Sequence, residues 1–244
     1  MDPLEKKADI SPDIFWYKGK EALLKILLSK IKNLSLTQNK ERNVLLIGVG
    51  YSSEQSAVIK KYGNLDVIDI NHEVIETIDS QLVNHKICCD ILEYQTDKKY
   101  DLIILLDVIE HIQNENACFK KLKDLVSNDG FIILTVPAYQ FLFCNYDRKF
   151  GHFRRYNKKM IEKNNYFDIV QIGYWNLILF PAFAIERLYE KFFNKEHTFK
   201  KIPVYINKIC YKIISFENFL ISKGINLPFG LSLYSILTLK KLQK

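Results

Sequence analysis

Apolar runs and helical periodicity alternate along this chain in a regular way. Val44 to Ile47, Leu65 to Ile70, His85 to Cys89, Tyr100 to Leu106 (YDLIILL) and Phe131 to Val136 each read as a strand. Tyr100–Leu106 is apolar nearly throughout, as in the middle of a parallel sheet covered on both faces. Between the strands the spacing predicts helices around Ala57–Ile59, over Glu73–Val83, and from Asp107 through Leu125, the last ending at the polar turn Asn128-Asp129-Gly130. An amphipathic helix over Glu21–Ile31 precedes the first strand. A strand over Phe167–Tyr174, helices over Ile178–Phe193 and Tyr205–Ser222, and a strand over Leu231–Lys240 follow the fifth. Residues 138–158, AYQFLFCNYDRKFGHFRRYNK, are a long loop, too aromatic to be disordered.

Strand–helix alternation of this kind is α/β, a doubly wound parallel sheet, and its ligands sit beyond the carboxyl ends of the strands. Gly48–Gly50, Asp69 with Ile70, Asp90 with Ile91, Asp107 and the 138–158 loop all fall at that edge. Gly48 and Gly50 follow the first strand, where backbone without a Cβ can come close to a nucleotide. Asp69 ends the second strand, where a carboxylate can accept hydrogen bonds from both ribose hydroxyls. A nicotinamide-dinucleotide fingerprint would need glycine at position 53, where Ser53 stands. The expected organisation is an aromatic and helical cap (1–42), a core (43–174), a helical basic insert (175–228), and a last core strand with its tail (229–244).

Composition narrows the setting. The chain has 244 residues, 48% of them hydrophobic, and a net charge of +7 from 35 basic and 28 acidic residues, a balance tilted toward acidic partners. Three of its five arginines, Arg148, Arg154 and Arg155, fall within eight residues, where a planar bidentate donor would serve. Five cysteines without metal spacing point to reduced thiols and a cytoplasmic protein. The polar start shows no signal peptide, and no apolar run reaches the ~20 residues of a spanning helix. Attachment to a membrane surface stays open: residues 185–223 carry eight basic residues against four acidic, and such a segment can lie on anionic lipid, lid a site, pair subunits, or pack with a solvated lysine face.

Taken together, LLIGVG, VIDI, CCDILE, YDLIILLDVIEHI, SNDGFIILTVP and SLYSILTLKK resemble the class I S-adenosylmethionine (AdoMet)-dependent methyltransferases over residues 14–174 and 229–241. The resemblance implies a Rossmann-like seven-stranded sheet whose last strand is antiparallel, with AdoMet lying across the strand ends. It assigns Gly48, Gly50, Asp69, Ile70, Asp90, Ile91 and Asp107 to the cofactor, with Asp90 and Ile91 at the adenine. FWYKGK looks like an aromatic and basic box, placing Tyr17 and Lys20 near the methionine carboxylate. GHFRRY resembles a loop of methyltransferases acting on surface polysaccharides and lipid-linked sugars; the adjacent arginines at this edge suggest that Arg154, Arg155 and Tyr156 contact an anionic small or lipid-linked acceptor, the alternative being salt bridges that fix the loop. Two departures stand out: Leu46 where an acidic residue is usual, and Ser52 in place of a glycine.

For the chemistry, Asp107, Glu110 and His111 would share one face of a helix at i, i+3 and i+4. His111 could take the acceptor's proton as general base. Alternatively, Asp107, Glu110, His111 and His152 could hold a divalent ion such as magnesium, an arrangement similar to the ubiquinone-pathway and small-RNA 2′-O-methyltransferases. In a third reading His111 only caps and packs. O-methylation of a small or lipid-linked anionic acceptor, such as a glycolipid, polysaccharide or quinone-like intermediate, is the expectation. An RNA 2′-O-methyltransferase and a non-catalytic AdoMet-binding scaffold are the rivals, although no RNA-binding module is visible and nucleic acid is not the expected partner.

Overall fold

The computed structural model describes residues 14–34, 41–50, 53–195 and 202–240. The polar start, most of the 33–42 linker, Ser52 and residues 241–244 lie outside them. One seven-stranded sheet runs in the order β3-β2-β1-β4-β5-β7-β6. Its strands are β1 (Asn43–Ile47), β2 (Asn64–Asp69), β3 (His85–Cys88), β4 (Tyr100–Leu106), β5 (Val126–Pro137), β6 (Phe167–Trp175) and β7 (Ser232–Leu239). The pairs β1–β2, β1–β4, β2–β3 and β4–β5 are parallel, and β7 is antiparallel to both β5 and β6. This is the Rossmann-like methyltransferase arrangement, with the expected antiparallel last strand. Val44–Ile47 of β1 and Leu102–Leu106 of β4 are buried throughout, as in strands covered on both faces.

The helices are α1 (Phe15–Leu34), α2 (Ser53–Ile59), α3 (His72–Glu76), α4 (Glu115–Leu125), α5 (Asn145–Lys149), α6 (Lys158–Glu162), α7 (Phe180–Phe192) and α8 (Val204–Ser222). The FWYKGK box is the first turn and a half of α1. Helix α1 lies against α8, where Gly19 makes room: a Cβ there would meet Ile214 Cγ2 at 2.4 Å. Asn218 of α8 joins the two helices to the sheet, donating to Gly19 O at 2.9 Å and accepting from Trp175 Nε1 at 2.9 Å.

Three elements differ from the sequence expectation. The helix expected over 73–83 stops at Glu76, since Thr77 Oγ1 turns back to Val74 O and the Asp79 carboxylate captures Gln81 N, a local competitor for the helical ladder. The expected 107–125 helix is split. Asp107 has φ +56°, a single 3₁₀ turn covers Ile109–His111, and α4 starts afresh with Asn114 capping Ala117 N at 3.0 Å. Finally, β5 begins at Val126, so Ser127–Gly130 forms an irregularity between the Tyr100–Val126 and Leu102–Phe131 pairs rather than a separate turn.

Candidate active site

The site assembles at the carboxyl edge of the parallel strands. After β1, Gly48 and Gly50 take φ of +72° and +60°. Val108 Cγ2 lies 2.4 Å from where a Gly48 Cβ would be, so the turn is closed to any side chain. Asp69 fastens that turn: Oδ2 accepts from Val49 N at 2.9 Å and Oδ1 from Asn71 N at 2.9 Å. Ile70 beside it is exposed. Asp90 accepts from Leu92 N at 2.8 Å, and Ile91 is buried against the core. Leu46 is fully buried in mid-sheet, registered between Val67 and Ile104.

Asp107, at the end of β4, has both oxygens engaged. Lys20 of α1, itself buried, pairs with Oδ2, and Thr135 Oγ1 donates to Oδ1 at 2.9 Å. Burial would raise this carboxyl, but Lys20 and Thr135 hold it below the usual range. One turn from Lys20, the Tyr17 hydroxyl is buried with no hydrogen-bond partner among the described residues.

The 138–158 loop closes over the residues after β4. Phe153 N donates to Glu110 O at 2.8 Å, Arg154 donates to Ile112 O and Gln113 O at 2.6 Å each, and Tyr156 donates to Ile109 O at 3.3 Å. These bonds carry His152 onto His111, ring centroids 4.6 Å apart and edge to face. The ligating atoms of Glu110, His111 and His152 all lie within 4.8 Å of one another. Asp107 does not join them, which corrects the shared helical face: its left-handed backbone starts no helix, and its carboxylate is spent on Lys20 and Thr135.

Within the trio, Glu110 is 0% exposed and neither carboxyl oxygen has a hydrogen-bond partner among the described residues. Burial first, and then the Asp107 charge, push it well above the ordinary carboxyl value. Burial and the neighbouring His152 push His111 down to about 4, against the pull of Asp107. His152 is oriented by a residue that sequence reasoning missed: its Nδ1 donates to Asp147 Oδ1 at 3.0 Å. The only signal for Asp147 was its place five residues upstream in the same loop.

The arginines also differ from expectation. Arg155 is 4% exposed, with Nε on Asp147 Oδ1 at 2.8 Å and Nη1 on Ala138 O at 3.3 Å. Arg154 is committed to the carbonyls after the 3₁₀ turn, and Tyr156 is buried. Their assignment as contacts to an anionic acceptor is therefore corrected: these groups hold the loop, because buried donors must find fixed acceptors.

A family model described as a methyltransferase domain matches residues 18–192. The chain belongs to this methyltransferase family. Its seven-stranded sheet has the class I methyltransferase arrangement. The methyltransferase is 30% identical over 99 residues to malonyl-[acyl-carrier protein] O-methyltransferase 2 of Ilyobacter polytropus, covering 38% of each chain. It is 29% identical over 101 residues to a probable (S)-tetrahydroprotoberberine N-methyltransferase 2 of Papaver bracteatum, covering 38% of this chain and 28% of that one. The matches thus span well under half the length of either curated relative. A solved AdoMet-dependent methyltransferase from Clostridium acetobutylicum shares the fold at 14% identity, with a TM-score of 0.56 over 91% of this chain and 92% of that one. Among the described residues of the methyltransferase, no helix is long and apolar enough to cross a membrane.

Proposed function

We propose that this methyltransferase methylates an oxygen of a small or lipid-linked acceptor, with Glu110, His111 and His152 managing the acceptor's proton. The observation that carries the reading is the Glu110 carboxyl group, fully buried, without a hydrogen-bond partner among the described residues, and beside two imidazoles. An unpaired buried carboxylate costs several kcal/mol unless something in its working state satisfies it.

The cofactor side fits. The closed Gly48–Gly50 turn presents bare backbone, Asp69 stands at the next strand end for the ribose, the resemblance assigns Ile70, Asp90 and Ile91 to the adenine, and the orphaned Tyr17 hydroxyl with the Lys20–Asp107 pair is assigned to the methionine end. AdoMet supplies a methyl group on a sulfonium, ready for in-line displacement. The chain's work is therefore to align the acceptor and remove its proton.

Because the Asp147 carboxylate accepts a hydrogen bond from His152 Nδ1–H, the free lone pair is on Nε2, the tautomer suited to accepting a proton or binding a cation. His111, lowered to about 4 by burial and by the neighbouring His152, is neutral at pH 7. One carboxylate and two imidazoles from Glu110, His111 and His152 suit a transition-metal dication such as manganese or iron better than magnesium, and such an ion held there would lower the pKa of an acceptor hydroxyl. On the acceptor side, Tyr139, Tyr174, Phe180 and Phe229 form an aromatic cluster at the same sheet edge, with Tyr139 stacked on Tyr174 at 5.3 Å and Lys158 Nζ 4.9 Å above the Tyr174 ring. The O-methyltransferase among the relatives supports oxygen as the acceptor atom.

Calorimetric titration of S-adenosylhomocysteine and then Mn²⁺ tests this on wild type, Glu110→Gln, His152→Gln and Asp69→Ala. Asp69→Ala should abolish cofactor binding alone. Glu110→Gln and His152→Gln should keep it, while losing both Mn²⁺ heat and turnover of hydroxyl acceptors. Cofactor-competent Glu110→Gln and His152→Gln proteins that turn over hydroxyl acceptors like wild type would overturn the proposal.

A further inference from the structure

Helix α8 has two unlike faces. Ile214, Glu217, Asn218 and Ile221 are buried against the body of the protein. On the opposite side Val204, Tyr205, Ile209, Phe216 and Phe219 each stand more than half exposed. Successive 100° steps place Lys208, Lys212 and Lys223, all exposed, among those side chains. The single acidic residue of α8, Glu217, points inward, its carboxylate accepting from Leu177 N at 2.9 Å and Ile178 N at 2.6 Å. The outer face is therefore large apolar side chains and positive charge, with no negative charge on the helix to offset it. On α7, Ile185, Tyr189 and Phe192 repeat the pattern at i, i+4 and i+7 as an exposed apolar stripe.

We infer that the outer face of α8 docks on an anionic lipid bilayer. Its charge is complementary to acidic headgroups. Its aromatic and aliphatic side chains are of the length that enters the headgroup boundary, and lysines can lay their stems along apolar matter while the ammonium groups stay in the phosphate layer. A protein partner fits this face less well, because interface cores are depleted in lysine. A second copy across a two-fold axis would set the same lysines against one another. Docked this way, the helix lies flat on the membrane rather than in it, in keeping with the lack of a spanning helix among the described residues. The inference stands independently of the acceptor chemistry proposed above.

Co-sedimentation with vesicles of phosphatidylcholine alone, and of phosphatidylcholine mixed with phosphatidylglycerol, tests it on the full chain. Wild type should partition onto the anionic vesicles and come off with added salt. Each lysine changed to glutamine should weaken partition about five-fold, so Lys208→Gln/Lys212→Gln/Lys223→Gln together should lose on the order of a hundred-fold. Phe216→Ser/Phe219→Ser should lose the apolar part of the partition. All variants should bind S-adenosylhomocysteine like wild type, because the changed side chains face away from the fold. Hydrogen exchange of the wild type with anionic vesicles, which needs no variant, should show added protection confined to α8. Equal partition onto neutral and anionic vesicles, unchanged exchange in α8, or a dimer abolished by Phe216→Ser/Phe219→Ser without lipid binding would each overturn the inference.

Discussion

Asp147 is the group on which the active-site loop depends, and removing it should show how much. Its Oδ2 accepts from Cys144 N at 2.9 Å, and its Oδ1 is shared by His152 Nδ1 and Arg155 Nε. Burial would raise this carboxyl, yet His152, Arg155 and Arg187 together hold it well below the usual range. Asp147→Ala leaves the Arg155 guanidinium buried without its counter-charge, a change that typically costs about 3–5 kcal/mol. Arg155→Ala is milder, about 1.5–3 kcal/mol, because Asp147 keeps His152 and Cys144 N. Once Asp147 is gone, deleting Arg155 removes a stranded charge, so the double variant should be no worse than Asp147→Ala alone. That is a coupling of about 2 kcal/mol in a double-mutant cycle. Urea unfolding at neutral pH measures it, provided the denaturant slope stays constant across the four proteins. Additive single effects, or an Asp147→Ala cost below about 1 kcal/mol, would refute the buried-pair argument.

Two other outcomes follow from the two ends of the sheet. Gly48→Ala puts a Cβ at φ +72° and 2.4 Å from Val108 Cγ2, so it should cost about 1–3 kcal/mol and weaken S-adenosylhomocysteine binding in calorimetry, with Val108→Ala restoring part of the stability. At the amino-terminal end, burial works against the Asp66 charge, but hydrogen bonds from Lys98, His85 and Tyr100 outweigh it and lower its pKa. A lowered folded pKa means stability that is present above the unfolded value of about 3.9 and lost as pH falls through the folded one. Asp66→Asn should therefore unfold about 2 kcal/mol more easily at pH 7, approach wild type in acid, and bind cofactor normally.

The central strands β1, β2 and β4 were legible because each is a short apolar run closed by a turn residue, and a buried strand needs nothing else. The glycine turn and Asp69 could be read for the same reason, as local requirements of one crossover. What could not be read depended on competition or on distance. Whether Asp79 would extend the helix or end it is decided by a single hydrogen bond, which its carboxylate accepts from Gln81 N. Asp107 looked like the first residue of a helix, and only its contacts with Lys20 and Thr135, far away in sequence, show it at positive φ. Paired arginines read equally well as ligand contacts or as loop fasteners, and the deciding partner, Asp147, carries no mark in the sequence. The Glu110–His111–His152 meeting was reachable only through the family resemblance, since it needs the loop to fold back across four hydrogen bonds, which no spacing rule encodes.

The placing of β7 between β5 and β6 has a consequence for how the chain is made. Among the described residues β6 pairs with no strand but β7, which follows only after α7 and α8. Until residues 232–239 arrive, β5 presents the apolar edge Phe131–Pro137 with its ladder unpaired, and β6 has nothing to join. An open edge of that kind is a template for pairing with another chain. Such long-range closure is slow compared with local contacts. Nascent or truncated forms lacking Ser232–Leu239 should therefore accumulate as aggregates, and chaperone demand should peak in the interval between the synthesis of β6 and that of β7.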